Sequence, residues 1–131
     1  MKKLIIISII ILSVIACKKT EYAPEGPTDI RIKNTSQYAF TEVKVNIEDS
    51  IKVMGNIAVG GLSGYVRFHK AFVKAEVSAK VTGVLFSTGA VDYTGLTYIG
   101  QEKITYEVWI SDYTNKKLEL KVVYPLDGPL K

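Results

Sequence analysis

The chain has little of what most site chemistry needs. Its 131 residues include one histidine, His69, and one cysteine, Cys17. A Ser-His-Asp triad would have to pass through His69. The nearest approach to a nucleophile elbow is Gly61-Leu62-Ser63-Gly64, but Tyr65 stands where G-x-S-x-G requires glycine. That motif also needs a strand–turn–helix setting, which the pattern lacks, so Ser63 reads as a residue of a Gly-rich turn. One histidine and one cysteine cannot build a soft metal site. The acids are scattered, no D-x-[DN]-x-[DN]-G loop occurs, and Glu48-Asp49 reads as a solvated turn. His69, between Phe68 and Lys70, reads as a surface or strand-edge residue. A carboxylate pair for glycoside cleavage is compatible with the composition, but a small, cleft-poor domain is a poor host for it. The expectation is a protein with no catalytic residues, no metal and no cofactor.

Other absences narrow the class further. No second cysteine exists, so no disulfide can form within the chain. No basic cluster with interleaved aromatics appears, which argues against nucleic-acid binding. No apolar run approaches the roughly 20 residues that a membrane-spanning helix needs. After residue 16 no segment has a helical period.

The apolar run that does exist lies at the start. Lys2 and Lys3 precede Leu4–Ala16, which is broken only by Ser8 and Ser13. This order of basic and apolar segments reads as a signal peptide over residues 1–16, with an uncleaved signal anchor as the alternative. The stretch Val14-Ile15-Ala16-Cys17 resembles the bacterial lipobox, with Ile15 bulkier than the usual residue there. The resemblance implies that Cys17 carries a thioether-linked diacylglycerol and becomes the mature N-terminus. Two or three acyl chains suffice for stable anchoring, at about 0.8 kcal/mol per buried CH₂. The rival reading of Cys17 is a thiol that is free or pairs between molecules. Without Lys2 and Lys3, 15 basic residues face 13 acidic ones, so much of the chain's net charge of +4 belongs to the leader.

Residues 17–29, CKKTEYAPEGPTD, are polar and hold two of the four prolines. They read as a tether between bilayer and domain, able to reach roughly 40 Å when extended. From Ile30 to residue 131 the period is two. Ile30 and Ile32 alternate with charge, and Asn34-Thr35-Ser36 signals a turn. In Tyr38–Glu48 the apolar parity switches between Phe40 and Val43, which predicts a bulge near Thr41-Glu42. Phe72–Val81 alternates strictly, and Thr82-Gly83 reads as a hairpin turn into Val84-Leu85-Phe86. Residues 87–100 are Gly-rich and read as loop or broken strand. Ile104, Tyr106, Val108 and Ile110 share one strand face, as do Leu118, Leu120, Val122 and Tyr124 on the next. The pattern predicts an all-β domain of about seven or eight strands. An antiparallel β-sandwich, immunoglobulin-like or transthyretin-like, is the first expectation. A small barrel is the alternative, and the immunoglobulin Cys…Trp…Cys framework is absent.

Aromatics carry the functional signal. Eight tyrosines, four phenylalanines and one tryptophan make up 10% of the chain. Tyr38, Phe40, Phe72, Tyr106 and Tyr124 fall on expected inward faces. Trp109 falls on the opposite face of its strand, where it is either covered by a neighbour or free to anchor a protein or sugar. Tyr93 and Tyr98, in the Gly-rich stretch, are the other candidate contacts.

The stretches IRIKNTSQYAFTEVKVNIED, GNIAVGGLSGYVRFHKAFVKAEVSA and ITYEVWI together resemble small lipoproteins of the Bacteroidota. The shared features are turn glycines, a serine near a turn and strand aromatics, and the resemblance carries over no catalytic residue. In that setting Asp49-Ser50-Ile51 is similar to the phylum's D-(S/T)-(A/I/L/V/M/T) O-glycosylation signal. It implies a modified Ser50 on an exposed turn. Lys18 in place of aspartate after Cys17 implies the outer membrane, facing the periplasm or the surface. The partners expected are therefore the lipid bilayer, through acylated Cys17, and an unidentified envelope protein or a glycan. The first functional reading is a non-enzymatic interaction or accessory module of the cell envelope. The second is a glycan- or peptide-binding lipoprotein. A flat apolar patch or bare edge strand would favour the first, and a row of exposed aromatics would favour a glycan.

Overall fold

A computed structural model describes residues 22–130. The expected signal peptide, Cys17 and the first residues of the tether lie outside the described residues. Nine strands follow in chain order: β1 (Thr28–Asn34), β2 (Phe40–Ile47), β3 (Ser50–Ile57), β4 (Val66–Phe68), β5 (Glu76–Val81), β6 (Val84–Ser87), β7 (Glu102–Asp112), β8 (Lys117–Val122) and β9 (Gly128–Pro129). The all-β reading of the sequence holds. Among the described residues no helix is long and apolar enough to cross a membrane.

The strands form one sheet in the order β3-β2-β5-β6-β8-β7-β1-β4, with β9 added to β7. This differs from the expected antiparallel sandwich. β1 runs parallel to β7 over six register positions, from Asp29 opposite Lys103 to Asn34 opposite Val108. β6 meets β8 in parallel at a single position, Ser87 opposite Lys117. Immunoglobulin-like and transthyretin-like sandwiches consist of two separately bonded sheets, whereas here the ladder is continuous and mixed. Its ends also approach one another. Lys52 of β3 sets its Nζ 5.7 Å from the ring centroid of Phe68 on β4, so the sheet is nearly closed into a barrel.

Period-two patterning explains which residues fill the interior. Ile30 and Ile32 of β1, Val43, Val45 and Ile47 of β2, Val77, Ala79 and Val81 of β5, and Ile104, Tyr106 and Val108 of β7 are all buried. Each large apolar side chain removed from water contributes about 1.5–3 kcal/mol. The inward row of β1 ends in a polar residue on each side, and both are satisfied. Buried Thr28 donates from Oγ1 to the Gly100 carbonyl at 2.6 Å. Buried Asn34 donates from Nδ2 to the Tyr38 and Ile57 carbonyls, at 2.7 and 3.3 Å. Its Oδ1 accepts the Ser36 amide at 2.9 Å. A buried amide without those partners would be costly.

Local geometry follows the turn chemistry. The β2 register shifts between Phe40 and Val43, and Glu42 sits at φ 50. This is the bulge that the parity switch implies. Two-residue hairpins with both central residues at positive φ join β2 to β3 through Glu48-Asp49 and β5 to β6 through Thr82-Gly83. That conformation matches the right-handed twist of the flanking strands. The expected strand over 72–81 is shorter than its alternation implies. β5 begins at Glu76, and Val73 is 44% exposed. Phe72 instead makes an isolated bridge with Tyr98. Residues 88–101 form no named strand.

The segment before β1 is seated on the domain. Gln101 donates from Nε2 to the carbonyls of Tyr22 and Ala23, at 3.1 and 2.9 Å. Arg67 forms a two-point ion pair with Asp29, at 2.8 and 3.1 Å. At the other terminus, Asp127 is held against the outer side of β7. It accepts from Thr105 Oγ1 at 2.6 Å and from the Tyr65 hydroxyl at 2.9 Å.

Candidate functional site

Beyond the last β1–β7 pair, Asn34 opposite Val108, the chain turns away twice, directly after β1 and, four residues further along, after β7. Asn34 organises the first turn, residues 35–38, through the hydrogen bonds described above. Asp112 organises the second, accepting the Asn115 amide at 3.0 Å and its side-chain amide at 2.7 Å. These bonds to Asn115 hold the Asp112 carboxyl below the usual carboxylate range. The two turns bring Tyr38 and Tyr113 together, with ring centroids 5.3 Å apart and planes tilted by 33°. Tyr113 also packs at 5.3 Å on Phe86, which closes the core beneath it.

The result is an open cleft of about 490 Å³ lined by Thr35, Ser36, Gln37, Tyr38, Trp109, Ile110 and Tyr113. Trp109 is half-buried, and Tyr38 and Tyr113 are 40% and 48% exposed. None of the lining residues is charged, although 23% of the chain is. Glu119 stands opposite Trp109 on the β7–β8 ladder but borders a neighbouring depression instead. The side chains of Gln37, Tyr38, Trp109 and Tyr113 make no hydrogen bond among the described residues, so their donors and acceptors face the cleft or water. The cleft can stack and hydrogen-bond a ligand, and its lining includes no acid, base or thiol.

The residues singled out from sequence fall in different places. Trp109 lines the cleft. Tyr93 does not join it. Its ring packs 5.1 Å from Phe72, and its hydroxyl donates to the Asn46 carbonyl at 2.9 Å. Burial raises its phenol above the usual tyrosine value, and the residue serves packing. Tyr98 is exposed but lies beside Phe72, away from Trp109. Ser50 is half-buried where β3 leaves the Glu48-Asp49 turn, opposite Ile47. Cys17 lies outside the described residues.

Two residues expected in the core are on the surface. Tyr38 lines the cleft, and Tyr124, beyond the end of β8, is 67% exposed. Tyr38 precedes the first residue of β2, so strand parity never applied to it. Tyr124 follows the point where β8 stops. Tyr38 and Tyr113 are the cleft residues that sequence reasoning missed. Their one available signal was an aromatic set within a polar turn segment, SQY and SDYTN.

Elsewhere the polar groups are structural. Ser63 accepts the Ile32 amide at 2.8 Å and donates to the Gly64 carbonyl at 2.9 Å, which locks the 61–64 turn onto β1. His69 is exposed. Tyr65, Asp127, Thr105 and Arg31 are linked to one another, Arg31 donating from Nε to Thr105 Oγ1 at 2.8 Å. Burial and the bond to Asp127 push the Tyr65 phenol above the usual tyrosine value. Among the described residues no three His, Cys, Asp or Glu side chains converge as metal ligands would.

No protein-family model matches the chain, and no protein of curated function does. Among solved structures the chain is similar to an NMR structure of a protein from Eubacterium rectale. The TM-score is 0.51 at 12% identity, over 77% of this chain and 94% of that one. A likeness at that identity is one of fold.

Proposed function

We propose that the protein is a lipid-anchored, non-enzymatic binding lipoprotein of the cell envelope, an interaction or accessory module held at the outer membrane through acylated Cys17. The observation that carries the reading is positional. Tyr22, the first described residue of the tether segment, is bonded at the start of the β1–β7 pair, through Gln101 and Arg67. The aromatic cleft lies at the other end of the same two strands. Trp109 lies six positions along β7 from Lys103, about 20 Å at roughly 3.3 Å per residue. A domain tethered at one end would present its cleft away from the bilayer.

The cleft is the contact we assign to the partner, because it gathers three exposed or half-buried aromatic side chains, Tyr38, Trp109 and Tyr113. Its aromatic row favours a glycan over an envelope protein as the occupant. O-glycosylation of Ser50 is a separate proposal; its half-buried position beside the turn leaves the hydroxyl partly accessible, and intact mass of the purified protein tests it. The function is tested by a crosslinked pull-down of the tagged protein from its native envelope, with Cys17→Ala as the control. A near-stoichiometric partner or glycan that is recovered with wild type and lost with the control supports the reading. A variant that fractionates with the membrane as wild type does overturns the anchor.

A further inference from the structure

We infer that the cleft at Trp109 takes a neutral, uncharged saccharide, with a sugar ring stacked on the Trp109–Tyr113 side and its hydroxyls read by Gln37 and the 35–38 turn. The inference rests on the proposed binding role of this cleft. Three observations carry it. First, the wall is aromatic where a sugar's axial C–H groups need an apolar face, and the tilted Tyr38–Tyr113 pair holds that wall in place.

Second, the unspent polar groups are of the right kind. Gln37 offers two donors and an acceptor, the two tyrosine hydroxyls offer both, and the indole offers one donor. The Thr35 hydroxyl already donates to the Val108 carbonyl at 3.3 Å, so it presents acceptor lone pairs, whereas Ser36 Oγ also accepts the Tyr38 amide at 3.1 Å and serves its own turn. A mixed field of donors and acceptors suits a ligand whose every hydroxyl is both.

Third, no lysine, arginine or carboxylate lines the cleft in a chain that has 30 such side chains, 17 basic and 13 acidic. An acidic polysaccharide or phosphorylated ligand would need a cation there, since burying an unpaired charge is costly.

Trp109 is the one tryptophan in the chain, so its intrinsic fluorescence reports directly on the site. The experiment titrates the full-length protein in detergent micelles with maltohexaose, cellohexaose, laminarihexaose and mannohexaose, and with hexagalacturonate as the acidic comparison. The expected result is a saturable Trp109 shift with at least one neutral probe and none with hexagalacturonate. Tyr113→Ala should weaken binding roughly tenfold. Tyr113→Phe, which keeps the stacking face and guards against a folding defect, should bind within about twofold. Silence with all four neutral probes overturns the inference, and so does an equal response to hexagalacturonate. A photo-crosslinking residue in place of Gln37, irradiated in the native envelope, separates the two levels of failure. One stoichiometric protein adduct overturns the saccharide but keeps the cleft as the partner site. With no adduct and no saccharide response, both fall.

Discussion

Tyr113, on the turn after β7, packs its ring 5.3 Å from Tyr38, on the turn after β1. The two residues lie far apart in sequence and meet because β1 runs parallel to β7 and stops opposite Val108, so that the turn after Asn34 lies beside the last residues of β7. Tyr113→Ala removes this pair and the equal contact with Phe86. Each such pair contributes about 0.5–1.5 kcal/mol beyond area burial. The variant should therefore lose about 1–3 kcal/mol in urea unfolding, and the emission of Trp109 should shift to the red as water enters. An unchanged spectrum would mean that Tyr113 does not wall the cleft.

Tyr106 is fully buried and donates from its hydroxyl to the Phe72 carbonyl. Tyr106→Phe leaves that carbonyl unpaired and should cost about 1–3 kcal/mol. Burial raises the phenol's pKa above its value in the unfolded chain. A group shifted upward contributes stability that is present below its unfolded value, near pH 10, and is lost as pH rises past it. The urea midpoint of wild type should therefore fall steeply above about pH 10, and that of Tyr106→Phe less so. Parallel pH curves for the two proteins would exclude Tyr106 as the source.

Gly26 is buried beneath the 69–70 backbone. A Cβ there would stand 2.0 Å from the His69 carbonyl oxygen. Backbone cannot yield as a flexible side chain does, so Gly26→Ala should destabilise by about 1–3 kcal/mol or release the 22–27 segment. Protease sensitivity near Tyr22 separates these outcomes. A variant with neither effect would show that the segment does not sit on the domain.

Asp112 is half-buried, and the Asn115 amide lowers its pKa. A group shifted downward contributes stability that is present above its unfolded value, near pH 4, and is lost as pH falls through the lowered one. Between about pH 5 and pH 2 the unfolding midpoint of wild type should drop more than that of Asp112→Ala. Identical slopes would mean that the turn does not depend on the carboxylate.

What the sequence by itself determined about this protein is local. Alternation of apolar and polar residues specified an all-β chain, because a strand presents successive side chains to opposite faces. The parity switch after Phe40 located the bulge, and Thr82-Gly83 located a hairpin, because both depend on neighbouring residues alone. Ser63 and the Glu48-Asp49 turn were legible for the same reason. The tertiary structure alone decided the rest. The parallel β1–β7 pairing joins segments about 70 residues apart, and no periodicity within either strand encodes its partner. Tyr38 and Tyr124 left their expected faces because their strands begin and end elsewhere, and parity has no meaning outside a strand. Tyr93 was drawn into packing by Phe72 and Asn46, contacts its own Gly-rich loop does not announce. The cleft exists only because two distant turns converge beside Trp109, so its aromatic wall and its lack of charge are properties of the fold.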